Sequence, residues 1–262
     1  MKGHLTHLAP QPSLVVSLLL ALLLAPALAT AELSERTASK LQAAIDDASR
    51  SEADRERDRN RRPLQTLEFF GLTDEMTVLE LVPGGGWYTR LLAPTLADKG
   101  KLYVSIGTGN VEQNLLDQAG FEAVEVLPFD AIGEREASRR MNINPFSFGV
   151  DDVDLVLTFR NLHNFTADGR AEMNRATYQA LKPGGLYGVV DHTRRHMEPD
   201  WAENWRRMDP VQMIKEIEAA GFEFVDYSSL HHRPDDELEY EVGRASVTGN
   251  TDRFALLFRK AD

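Results

Sequence analysis

The run Val78-Leu79-Glu80-Leu81-Val82 empties into Pro83-Gly84-Gly85-Gly86, and Trp87-Tyr88-Thr89-Arg90-Leu91-Leu92-Ala93-Pro94 follows at once. A β-type apolar run ending in three glycines, with a helical pattern straight behind it, leaves the backbone few choices. Glycine lets the chain turn this tightly and lie against a ligand with no Cβ in the way. The helix after the turn aims its free N–H groups and the positive end of its dipole at the same point. The combination predicts a strand–turn–helix unit that holds a nucleotide-like ligand at the open end of a parallel sheet.

From Leu64 onward helix and strand signals alternate. Helices are predicted over Leu64–Phe70, Trp87–Ala97, Val111–Ala119, Ala167–Leu181 and Pro210–Ala220. Strands are predicted over Thr77–Val82, Lys101–Ile106, Ala123–Leu127, Val153–Phe159, Leu186–Val190, Phe222–Ser228 and Phe254–Phe258. This order predicts an α/β, doubly wound and mostly parallel sheet. The last two strands lack a crossover helix between them, which predicts an antiparallel hairpin at one edge.

The first 31 residues stand apart. Lys2, His4 and His7 precede the apolar run Leu14 to Leu24, and Pro26-Ala27-Leu28-Ala29-Thr30-Ala31 follows. That is the anatomy of a secretory signal, with cleavage after Ala29 or Ala31. The run is shorter than the roughly 20 apolar residues a membrane span needs, so no stable insertion is expected after cleavage. With no cysteine in the chain there is no lipid-anchoring thiol, and the expected location is the periplasm or the medium. Residues 32–63 predict a charged helical extension, with Leu33, Leu41, Ala44, Ile45 and Ala48 at helical spacing and Pro63 as its stop. Within it, Arg55 to Arg62 mixes both signs of charge. It reads as a solvated helix face, the alternative being that one or two of its arginines fold back over the ligand cleft. Residues 64–262 form the main domain.

The chain of 262 residues carries 41 acidic against 29 basic side chains. That balance excludes nucleic acid as the main partner, because phosphate backbones select basic surfaces. A small-molecule ligand met by a local cluster remains, and nothing in the sequence sets the oligomeric state.

Three segments together resemble the class I S-adenosylmethionine-dependent methyltransferases, over nearly all of the main domain. Val78 to Gly86 is similar to that family's first motif, Asp154-Leu155-Val156-Leu157 to its fourth strand, and Leu181-Lys182-Pro183-Gly184-Gly185 to the turn before its fifth. Pro83 to Thr89, Thr158 to Asn164 and Val190-Asp191-His192 resemble a subgroup of exported bacterial predicted methyltransferases. The resemblance implies a seven-stranded methyltransferase-type sheet with S-adenosylmethionine held by Glu80, Gly84, Gly85, Gly86, Trp87, Tyr88, Ser105, Asp130 and Asn161. One departure stands out. The family's second strand ends in an acid that bonds both ribose hydroxyls, whereas here Lys101 to Gly107 contains none. Ser105 or a displaced carboxylate such as Glu112 is left to substitute. The turn also lacks the last glycine of G-x-G-x-x-G, which counts against a nicotinamide dinucleotide.

The strand order implied by the resemblance makes the strands ending at Val82, Phe159 and Val190 neighbours. Asn161, His163, Asn164, Asp191 and His192 then share one crevice with the glycine turn. His192 beside Asp191 is the first choice for a base that takes the acceptor's proton, and His163 the second, since a neutral imidazole titrates near working pH. Bland roles stand beside these. Asn161 and Asn164 brace a turn, His163 packs, Glu80 bonds loop N–H groups, and Trp87 and Tyr88 are half core and half cleft wall. His231 and His232 read as a solvated loop. The spacing of Asp191, His192, His163 and Asn161 is no recognised metal signature, and no metal is assigned. Two classes of function follow: methyl transfer to a small-molecule or envelope acceptor, or a non-catalytic periplasmic ligand-binding protein that retains the fold.

Overall fold

A computed structural model of the chain describes Met1, Gly3 and residues 33–133 and 139–261. The predicted signal over 1–31 and its cleavage sites lie outside the described residues, apart from Met1 and Gly3. Four helices come first: α1 (Glu35–Ile45), α2 (Glu52–Glu56), α3 (Asp58–Arg61) and α4 (Pro63–Phe69). Then follow β1 (Thr77–Leu81), α5 (Thr89–Leu96), β2 (Lys101–Ser105), α6 (Gly109–Asn114), β3 (Val124–Leu127) and β4 (Val153–Phe159). The chain continues with α7 (Ala167–Ala180), β5 (Leu181–His192), α8 (Pro210–Glu218), β6 (Phe222–Ser228) and β7 (Arg253–Lys260). Among the described residues, no helix is long and apolar enough to cross a membrane.

The seven strands form one sheet in the order β3-β2-β1-β4-β5-β7-β6. β1 to β5 pair in parallel, and β7 runs antiparallel to both its neighbours. The expected hairpin is present, with β7 inserted between β5 and β6. Burial explains that choice: Arg253 to Phe258 are buried in succession, as an interior strand demands, whereas β6 is half exposed and suits an edge. The start of the fifth strand moves. Lys182-Pro183-Gly184-Gly185, read as a stop before the fifth strand, lies inside β5. Leu181 pairs with Val153 and Leu186 with Leu155 across a register shift, and Gly184 takes a positive φ of 72°, so the strand resumes its pairing beyond the turn.

Alternate residues of β1 face opposite cores. Leu79 and Leu81 pack with Met173 and Ala176 of α7 and Met213 and Ile217 of α8. Val78 faces the layer that holds Leu67 of α4, Leu91 and Leu92 of α5, and Leu41 and Ala44 of α1. Helices α1 and α4 therefore lie against the sheet layer and share its core. Leu41 is fully buried, which by itself is worth about 1.5–3 kcal/mol. Ser34 starts α1 by accepting the Thr37 N–H at 3.1 Å.

At the carboxyl end of the sheet, three neighbouring strands leave through a left-handed residue. Val82 after β1, Ile106 after β2 and Arg160 after β4 have φ of 53°, 64° and 63°. For β-branched or bulky side chains this is uncommon and costs on the order of 1–3 kcal/mol each. Such strain accumulates where the surroundings hold a working geometry in place.

The glycines of the turn divide between two tasks. Gly86, at φ 76°, would place a Cβ 2.3 Å from Leu115 Cδ1, so it permits the turn before α5 to pack against Val111 and Leu115 at α6. A Cβ on Gly85 would meet nothing within 4 Å. Gly86→Ala is therefore expected to destabilise by about 1–3 kcal/mol, and Gly85→Ala by less than about 0.5 kcal/mol. Urea unfolding of both variants measures the difference, and equal losses would contradict this division.

Candidate functional site

Above the turn lies a crevice of about 260 Å³. Gly84, Gly85, Val82 and Glu80 come from the end of β1, Trp87 and Tyr88 from the start of α5, and Phe159, Arg160 and Asn161 from the end of β4. Its remaining wall is Pro83 with Asp54, Arg57 and Arg61 of the N-terminal extension. The extension thus folds back over the cleft, and the solvated reading of its arginines fails for Arg61, which is only 7% exposed. The reason is aromatic. The Arg61 guanidinium carbon sits 4.3 Å from the Trp87 ring centre and 5.7 Å from that of Tyr88, an attraction of roughly 2 kcal/mol or more when desolvated. Trp87 is fixed in turn by donating its indole N–H to the Asp54 carbonyl at 3.1 Å. Tyr88 stacks on Phe159 at 3.5 Å with an 11° tilt, tying α5 to β4.

Glu80 is buried and accepts the Thr89 hydroxyl at 2.6 Å. Burial raises its pKa to about 7, against the pull of the Thr89 hydrogen bond and the Arg61 charge. Asn161 braces the turn, donating its amide N–H to the Val82 carbonyl at 3.1 Å. Asn164 lies away from the crevice, its backbone N–H bonded to the Asn161 carbonyl at 2.9 Å.

Other expected contacts lie elsewhere. Gly86 does not line the crevice, for the packing reason above. Ser105 is fully buried and donates its hydroxyl to the Leu127 carbonyl on β3 at 3.2 Å, so it faces the sheet and not a ribose. Asp130 is exposed and outside the crevice. Glu112 is exposed on α6 and accepts the Thr108 hydroxyl at 2.5 Å.

The expected pairing of Asp191 with the His192 ring is corrected. Asp191 is fully buried, and its partner is His163, whose Nδ1 lies 2.7 Å from Asp191 Oδ1. Asp191 also accepts the backbone N–H of His163 at 3.2 Å and of His192 at 2.7 Å. A carboxylate accepting this many N–H groups makes His163 Nδ1 the donor and leaves Nε2 the lone pair. Consecutive strand residues point to opposite faces. The His192 ring accordingly turns away from the carboxylate and bonds Thr251 at 2.8 Å. Burial, reinforced by Arg253, holds its pKa well below the usual histidine range, so it stays neutral. His163 and His192 are both buried and neither lines the crevice. Among the described residues, no group of three or more His, Cys, Asp and Glu is placed to hold a metal ion.

His231 is also not the solvated loop residue expected. It is 2% exposed, its Nε2 is 3.0 Å from the Thr66 hydroxyl, and burial lowers its pKa to about 3. His232 is exposed, with Nδ1 3.0 Å from Asp252. Sequence reading missed Phe159 and Arg160 as site residues. The available signal was position: a charged and an aromatic residue at the carboxyl end of a central strand.

No family model matches the sequence, and no curated protein matches it. Solved structures do resemble the fold. A SAM-dependent methyltransferase from Aquifex aeolicus is 18% identical, with 85% of this chain and 97% of that chain covered and a TM-score of 0.54. Human N-acetylserotonin methyltransferase in complex with SAM is 15% identical, covering 86% of this chain and 57% of that one at a TM-score of 0.52. The [4+2]-cyclase SpnF is 16% identical, covering 86% and 93% at 0.52. These likenesses establish a methyltransferase-type fold, and the cyclase among them shows that this fold is not tied to one reaction.

Glu80 gives the crevice a pH signature. Its carboxyl group holds a proton to about pH 7 when folded, against about 4.5 when unfolded. Its contribution is therefore most favourable below pH 4.5, declines as pH rises through that window, and levels off above 7. Glu80→Gln keeps an acceptor for Thr89 and removes the decline. The variant's gain over the parent is expected to grow from pH 5 to pH 8, reaching on the order of 3 kcal/mol. Urea unfolding at both pH values checks it, and a pH-independent difference would contradict it.

Proposed function

We propose that this chain binds S-adenosylmethionine in the crevice over Gly84 and Gly85 and transfers its methyl group to a small-molecule or envelope acceptor. The observation that carries this reading is the crevice itself: a glycine turn without side chains, at the carboxyl ends of β1 and β4, closed by Arg61. Cβ atoms at Gly84 and Gly85 would project into its open space. The donor set fits the amino-acid end of the cofactor. Arg61 suits a carboxylate, Asp54 suits an ammonium, and the turn suits close backbone approach. At the ribose end β2 supplies no acid, which leaves Glu112 on α6 as the nearest carboxylate in sequence.

When bound, S-adenosylmethionine supplies an electrophilic methyl group on a sulfonium. The chain's part is to align the partners and exclude water. His163, oriented by Asp191, is the group to hold the acceptor's proton at Nε2. Asn161, two residues before it, keeps the strand-to-helix turn against the glycine loop. The same reading places the protein outside the cytoplasm, led there by residues 1–31. Amino-terminal sequencing of the exported form is expected to begin at Thr30 or Glu32, and an intact Met1 would contradict it.

The missing ribose acid and the buried His163 favour a second reading, in which the crevice binds its ligand without transfer. Thermal shift with S-adenosylhomocysteine tests binding first. A ligand at 100 times its Kd adds about 2.7 kcal/mol to the folded state, and Gly85→Val is expected to abolish the shift. No shift at millimolar ligand would remove the methyltransferase reading. His163→Gln then separates the two. Retained binding with turnover down about 100-fold is the enzyme's result, whereas lost binding would make His163 structural.

A further inference from the structure

Next to the crevice, and sharing Arg57, Arg61 and Arg160 with it, lies a second cavity of about 280 Å³. Asn60, Thr248, Gly249 and Arg253 complete its lining. Four arginines thus converge from three places distant in sequence: α2–α3, the end of β4 and the start of β7. The chain as a whole is strongly acidic, at −12, so general basicity does not account for the cluster.

These guanidinium groups have no matching carboxylates. Among the described residues Arg61, Arg160 and Arg253 form no ion pair, and Arg57 reaches only Asp54 at 3.9 Å. The nearby acids are already engaged. Asp54 also faces Arg90 at 4.0 Å, Glu80 bonds Thr89, and Asp191 is held by His163 and two backbone N–H groups. Arg253 is 6% exposed and donates to the Asn60 carbonyl at 3.2 Å, while its Nε is buried without any partner. Burial and mutual repulsion lower the pKa of Arg61 to about 9 and that of Arg253 to about 10. Arg160, the residue both of them face, is held in the left-handed region by its own N–H to the Val190 carbonyl at 2.6 Å. Buried charge without a counter-ion is costly, and a bound anion removes that cost.

We propose that the cavity between Arg57, Arg160 and Arg253 binds the phosphoryl group of a small phosphate or pyrophosphate ester, whose remainder extends into the glycine-turn crevice. A carboxylate carries one charge and is satisfied by one guanidinium fork. A phosphoryl group carries close to two charges and three acceptor oxygens, which matches several forks without a resident acid. This site stands independently of methyl transfer, because its anion needs no methyl donor.

The test is titration of the full mature chain with inorganic phosphate, pyrophosphate, phenyl phosphate and acetate, at ionic strength balanced with sodium chloride. Saturable stabilisation by pyrophosphate and phenyl phosphate, with acetate inert, is the expected result. A response to inorganic phosphate alone would identify the free ion as the ligand and overturn the ester. Arg253→Met, which touches this cavity but not the crevice, is expected to weaken binding at least tenfold while the S-adenosylhomocysteine shift persists. Arg160→Lys keeps the charge, loses the fork and is expected to weaken phosphoryl binding as well. Arg195→Ala, at a residue that lines neither cavity, leaves it unchanged. Equal stabilisation by acetate, or undiminished phosphoryl binding in both cavity variants, would overturn the proposal. Loss of the S-adenosylhomocysteine shift alone would count against methyl transfer and not against this site.

Discussion

Arg61 over Trp87 and Tyr88 is the contact on which the site depends. It joins the N-terminal helices to the first residues after the glycine turn, and Tyr88 passes the constraint to β4 through its stack on Phe159. Without it the glycine turn would be a groove open to solvent at the carboxyl end of the sheet. With it the turn gains a roof, a charge and an aromatic wall. Backbone strain at Val82 and Arg160 is tolerated because both sides of the crevice are held by these rings and by the two hydrophobic layers beneath them.

The crevice and the arginine cavity obey different electrostatics although they share a wall. Glu80, protonated to about pH 7, keeps the turn nearly neutral. A short distance away, Arg160 and Arg253 form a positive pole without a counter-ion. A ligand that satisfies both ends is polar and carries its negative charge at one extremity. The His163–Asp191 pair sits beyond the Asn161 brace, oriented but sheltered. The site is therefore organised by burial: each charged group is either committed to a protein partner or left for a ligand.

Much of this was legible in the sequence where local pattern decides structure. Apolar runs ending in glycine or polar residues placed the strands, and Gly84 and Gly85 placed the crevice. The failures share a cause, which is partners distant in sequence. Arg61 lies in a mixed-charge run that looks solvated, and it is Trp87 and Tyr88, distant in sequence, that cover it. Ser105 looked free to bind a ribose until β3 took its hydroxyl. His231 lies among polar residues, yet α4 supplies Thr66 to cover it. Asp191 and His192 are adjacent in sequence, but the pleat of β5 sends their side chains apart and brings His163 to the carboxylate instead.

Hydrogen–deuterium exchange with and without S-adenosylhomocysteine tests the central claim most directly, that the glycine turn and the N-terminal arginines form one ligand site. Ligand is expected to slow exchange in two segments together, Asp54 to Arg62 and Pro83 to Arg90. Protection of the turn while Asp54 to Arg62 exchanges unchanged would contradict it, because the arginine roof would then take no part in binding.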